Sequence, residues 1–228
     1  MSSEGDNAPQ PHGDWKRSAT IILLALNIVT FAVTRCFSPT FLDDHFALSW
    51  VGLEKGFVWQ LLTYQFMHGN WLHLILNCWV LFVVGREVEW VVGKIRFLFV
   101  YFCSGIFGGL LQVAAMWLWP HYFGGADVPT VGASASIFGI VGAFAMLFPD
   151  EMLVVLLFFV IPIKMRAKSM LWLVLFVTAF GISFPLSKVT TLLGAHVAHV
   201  AHLGGILTGI AFSRFYLLKI LPPPTPTG

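Results

Sequence analysis

Charge is scarce in this chain. Only 11% of its 228 residues are charged, where a soluble domain carries about 25%, so an ordinary solvated surface is excluded. Thirteen Lys and Arg against eleven Asp and Glu leave a net charge of +2. No basic field exists for a nucleic-acid partner, and the basic residues read instead as topology signals. Cysteine is also sparse: Cys36, Cys78 and Cys103 are odd in number, far apart and without a CxxC pair. Neither a disulfide framework nor a zinc site is supported, and free thiols in apolar segments are expected. The zinc-protease signature HExxH is missing as well. The opening MSSEGDNAPQPHGDW is polar, with Gly and Pro, and no short apolar stretch with a small-residue cleavage site follows it. It reads as a disordered tail rather than a signal peptide.

What the chain does contain is apolar surface, with 57% hydrophobic and 15% aromatic residues. That composition predicts an all-α, multi-pass membrane protein with the lipid bilayer as its solvent, and material for about six helices of roughly 20 residues. Helices are expected at about 18–35, 59–84, 96–118, 132–148, 169–185 and 193–213. The core would then run over 18–215, between a polar tail at 1–17 and a Pro-rich one at 216–228. Between the fourth and fifth helices, PDEMLVVLLFFVIPIKMRAK is too short in its apolar part to span comfortably and is stopped by Pro162. It reads as a segment lying in or dipping into the interface. With the N-terminus inside, ten basic residues fall on the inner side: Lys16, Arg17, Arg86, Lys94, Arg96, Lys164, Arg166, Lys168, Arg214 and Lys219. Only Arg35, Lys55 and Lys188 fall outside, which favours an N-in, C-in orientation.

Three polar groups interrupt the oil. VGASASIFG (131–139) brings two serines, AHVAHVAHLGG (195–205) three histidines, and HGNWLHLILN (68–77) puts His68, His73 and Asn77 at the outer end of the second helix. Ionisable groups within the membrane are costly, so by default they face a cavity or one another. A lone serine carries little weight, since it commonly bonds its own backbone. At about 100° per residue, Ser134 and Ser136 point to nearly opposite sides, and at most one can line a given cavity. His196, His199 and His202 step back by about 60° each, and His202 is followed by the close-approach stripe Gly205 and Gly209. Gly139 and Gly142 do the same below Ser134. Two such helices can bring a serine and a histidine within hydrogen-bond reach, the pairing that acyl transfer requires. His73 and Asn77 share a helix face at i, i+4 and can donate to an oxyanion. The competing use of these histidines as metal ligands leaves the serine motif unexplained and lacks carboxylates or thiolates nearby.

These motifs together resemble those of the rhomboid intramembrane serine proteases, most clearly from Trp59 to Phe212. The resemblance is carried by HGNWLHLILN with the following GREVE (85–89), by Gly132-Ala133-Ser134-Ala135 as the GxSx motif, and by AHLGG (201–205), the last of the histidine copies. It implies a six-helix bundle in which Ser134 is the nucleophile and His202 the general base and acid. It further implies an oxyanion site built from His73, Asn77 and the Ser134 backbone N–H, with His68, Gly132, Ala133 and Phe138 lining the site. Phe138 stands where relatives often carry a Tyr that stacks on the histidine. His199 would be a packed structural residue, and Glu89 part of a polar network on the inner side. No acidic partner is evident beyond Asp127 in the preceding loop, so a Ser-His dyad is expected, with no metal and no cofactor. Substrates would be transmembrane segments of other proteins, and the site would open to the outer side. The alternative within the family is a client-binding factor without proteolysis. The short tails look most like those of a bacterial plasma-membrane member.

Overall fold

The computed structural model describes residues 18–123, 125, 127–157, 161–184 and 198–220. The tails at 1–17 and 221–228, Lys16, Arg17, Lys188 and His196 lie outside the described residues.

Helix α1 runs Ala19–Thr34 and begins without help from its own N-cap, Ser18. The help comes from another helix. The carboxylate of Glu89 accepts from the backbone N–H groups of Ala19 (2.6 Å) and Thr20 (2.9 Å) and from both hydroxyls of Ser18 and Thr20. An anion on the exposed donors of a helix start is the favourable arrangement for both hydrogen bonding and the helix dipole. The stretch after α1 holds three short helices, α2 (Pro39–His45), α3 (Trp50–Glu54) and α4 (Gln60–Thr63), followed by a 3-10 turn at Tyr64–Phe66.

The predicted helix at 59–84 is corrected in two ways. It is broken at 67–70, and its main part, α5, runs Trp71–Val92. The break has a local cause, because Asn70 is an extended N-cap whose Oδ1 accepts the His73 N–H at 2.8 Å and so starts a new helix. His68 therefore precedes the helix rather than sitting on it. Gly93, at φ +80°, ends α5, and α6 (Lys94–Leu118) follows at once, with α7 (Pro120–Phe123) after it.

Helix α8 (Ser134–Leu147) has 14 residues, a length of about 21 Å. A second correction follows it. The segment read as lying in the interface is a β-hairpin, β1 (Met152–Leu157) antiparallel to β2 (Ile161–Arg166), with Met152 opposite Arg166 and Leu157 opposite Ile161. Its β-branched content favours strand over helix, and Pro162 lacks the N–H that a helix interior would need. The fold is thus mostly helical rather than all-α. Helix α9 (Ala167–Ser183) and helix α10 (His199–Ile220) complete the chain, α10 running past the predicted end at 213. Of the described helices, α6 and α10 are long and apolar enough to cross a membrane by length and composition.

The core gathers Leu23, Leu81, Phe97, Tyr101, Ile140 and Ile206 from α1, α5, α6, α8 and α10. Helices α8 and α10 touch through their backbones. A Cβ on Gly142 would lie 2.8 Å from the Ile206 carbonyl oxygen, and one on Gly205 would meet the Ala135 backbone, 2.9 Å from its carbonyl carbon. A Cβ on Gly209 would strike the Gly139 carbonyl. Small residues at these positions let the two axes approach.

Candidate active site

The backbone before α8 is held from two sides. Leu48 and Thr130 exchange a pair of backbone hydrogen bonds (3.0 and 2.8 Å), and the Gly132 N–H donates to the Tyr64 carbonyl at 2.9 Å. Gly132 sits at φ +127°, a conformation other residues rarely adopt. It also makes room: a Cβ there would fall 2.6 Å from His73 Cε1 and 3.7 Å from Ser134 Oγ. His73 thus lies over the glycine beside the serine.

Ser134 is the first residue of α8, and Ala133 before it offers no side-chain cap. The N–H groups of that first turn keep their donor capacity, at the positive end of the helix. Across the glycine seam, His202 Nε2 lies 2.9 Å from Ser134 Oγ. With the ring proton on Nδ1, the serine hydroxyl donates to Nε2. The imidazole is 9% exposed and lies flat on the Phe138 ring, with centroids 4.1 Å apart and planes 6° from parallel. Such a stack contributes about 0.5–1.5 kcal/mol beyond burial and fixes the ring's plane. The edge of His199 closes the approach from the next turn, 6.1 Å away between centroids. Its own ring fills the space where a Cβ on Gly181 of α9 would stand.

His68, before α5, and His73, on it, meet edge to face at 5.0 Å. Asn77, 7% exposed, has a buried Nδ2 with no hydrogen-bond partner; His68, 5% exposed, donates its Nδ1–H to the Phe66 carbonyl at 3.2 Å, which leaves its buried Nε2 an unpaired acceptor. An unpaired buried donor such as Asn77 Nδ2 is uncommon and carries a cost of about 1–3 kcal/mol, which a developing negative charge would relieve.

Ser136 faces elsewhere. Fully buried, its hydroxyl donates to Gln65 Oε1 at 2.9 Å, while Gln65 Nε2 donates to the Leu61 carbonyl. Sequence reasoning missed Gln65, Tyr64 and Leu48 as supports; the polar run at 63–65 was the signal available. Asp127 is exposed, and among the described residues no carboxylate lies within hydrogen-bond distance of His202. Nor is any group of three His, Cys, Asp or Glu among them arranged to hold a metal ion.

A sequence model of the rhomboid domain matches residues 55–219. Among curated proteins, the chain is 32% identical over 107 residues to one named inactive RHOMBOID-like protein 8 of Arabidopsis thaliana, covering 46% of this chain and 28% of that one. It is 28% identical over 190 residues to Rhomboid-like protease 1 of Toxoplasma gondii, covering 79% of this chain and 55% of that protein. Rhomboid-like protease 3 of the same organism matches at 28% over 218 residues, 92% of this chain and 73% of the relative.

Proposed function

The chain belongs to the rhomboid family of membrane-embedded proteins, and on that premise we propose that it is an intramembrane serine endopeptidase acting through Ser134 and His202. The reading rests on one observation, the 2.9 Å contact between Ser134 Oγ and a buried His202 Nε2 whose ring is held flat on Phe138. His202 takes the serine proton as Oγ attacks a peptide carbonyl of an unwound transmembrane substrate. The resulting oxyanion is received by the Ser134 N–H, Asn77 and His73, in a low-dielectric site where such donors act strongly. His202 then protonates the leaving amine, and water, activated by the same imidazole, releases the acyl group from Ser134.

Six spans with both termini inside accompany this reading, on the Lys/Arg asymmetry and the helix order. The site then opens to the outer side. The relative named inactive keeps a second reading in view, a client-binding factor without proteolysis.

Cleavage of a single-span model substrate in liposomes decides between them. Wild type should cut, while Ser134→Ala and His202→Ala should each fall by at least about 10⁴-fold, Ser136→Ala should stay active, and a chelator should do nothing. Equal inertness of all four proteins toward several substrates would favour the binding reading. Loss of activity on chelation would overturn the dyad.

A further inference from the structure

Apart from the candidate active site, the molecule carries a second concavity. A cavity of about 490 Å³ opens between α1 and the segment that follows it, within the range of ligand pockets. One wall is Thr30, Val33 and Thr34 of α1; the other is Phe41, Leu42 and Phe46 on and just beyond α2, and Phe66 and Met67 close the end. The lining is almost wholly hydrocarbon. Two of its three threonines spend their hydroxyls on the backbone: Thr34 donates to the Phe31 carbonyl at 2.9 Å and Thr63 to that of Phe46 at 2.7 Å. Their methyl groups are what remain for an occupant. Such a cavity has no partners for water. An extended peptide fits no better, since its backbone N–H and C=O groups would go unsatisfied there.

Arg35 adds the other half of the pattern. It follows the lining Thr34, and its Nη2 donates to the carbonyls of His68 and Gly69 (both 3.3 Å), the residues that follow the lining Met67. The guanidinium is exposed and lies 4.2 Å over the Phe31 ring. Its Nε and Nη1 have no protein partner among the described residues, and no carboxylate there pairs with it. A fixed cation with free donors beside a hydrocarbon slot is the chemistry that recognises a phosphate ester attached to an acyl chain.

We propose that this cavity seats one acyl chain of a bilayer phospholipid, whose phosphate is held by Arg35. The acyl chain passes from bilayer hydrocarbon to protein hydrocarbon, so no transfer from water drives occupancy; van der Waals packing in the slot and the pairing of phosphate with Arg35 hold the lipid there.

Photo-crosslinking tests this. The purified full chain is reconstituted with phosphatidylglycerol carrying a diazirine on its palmitoyl chain, and adducts are mapped by peptide mass spectrometry. Saturable adducts are expected on residues 30–46 and 63–67. Leu42→Trp, which fills the slot, should abolish them while sparing adducts on exposed faces of α9. Thr30→Leu fills it from the opposite wall and should act alike, which covers the event that the first variant misfolds. Arg35→Gln should raise the half-saturating lipid concentration by about tenfold, the scale of one charge-assisted hydrogen bond. Adducts spread evenly over all apolar helices, adducts indifferent to both filling variants, or competition by a single-span peptide in place of lipid would overturn the assignment.

Discussion

Helix α10 packs against α8, α6 and α9, and it meets the first and the last of these differently. Against α8 it presents Gly205 and Gly209, and backbone rests on backbone. Against α9 it presents side chains, among them the His199 ring. Helix α9 itself buries only Ala167, Met170, Leu171 and Thr178, while Trp172 and Phe176 are 72% and 67% exposed. The difference teaches where precision resides. A serine and a histidine on separate helices hold 2.9 Å only if their backbones cannot drift, and a seam without side chains leaves nothing to re-pack. A side-chain contact such as that between α9 and α10 can yield by a rotamer change, so α9 is the neighbour free to shift.

The largest effect should come from spoiling the tight seam. A Cβ at position 205 meets the Ala135 carbonyl and backbone, which no rotamer change can relieve. Gly205→Ala should therefore cost about 3 kcal/mol, the upper part of the overpacking range. It should also abolish cleavage even though Ser134 and His202 are both present. Thermal melting in detergent, read alongside substrate cleavage, checks both. Undiminished stability with full activity would show that the seam is not what holds the two groups together.

Ser136→Ala sits lower on the scale and separates the two serines of one helix. Its hydroxyl bonds Gln65 in the core, so its removal should lower stability by about 1 kcal/mol and leave the rate per folded molecule unchanged. A rate loss like that of Ser134→Ala would mean that Ser136 belongs to the chemistry.

The opposite facing of these two serines was legible from 100° per residue alone, and the apolar runs that form α6 and α8 were legible from their length. Phe138 one turn below Ser134 was equally readable, since i, i+4 residues share a face. What escaped depends on tertiary partners or on local polar chemistry inside an apolar run. Asn70 broke a continuous hydrophobic stretch by capping. The hairpin at 152–166 has the hydropathy of an interfacial helix and differs only in its β-branched residues and Pro162. Gln65 finds Ser136 from 71 residues away, and no periodicity reports such a pairing. Glu89 shows the middle case: its place in an inner polar network could be expected, but its service as the cap of α1 required both helices in view.

The same glycine-to-alanine change on α9 gives the smallest effect and the sharpest contrast. A Cβ on Gly181 would meet the His199 ring, which is the free end of a side chain at a half-buried position. The ring can swing aside, and alanine gains up to about 1 kcal/mol over glycine in a helix interior. Gly181→Ala should therefore leave the melting temperature unchanged or raise it slightly. Its mark should fall on the chemistry, because the His199 ring meets that of His202 nearly perpendicular, with centroids 6.1 Å apart. A drop of about two- to tenfold in kcat with KM unaltered, on the order of 0.5–1.4 kcal/mol in the barrier, would place His199 among the groups that orient the base. A destabilisation as large as that of Gly205→Ala would instead show that α9 is seated as rigidly as α8, and the contrast between the two sides of α10 would fail.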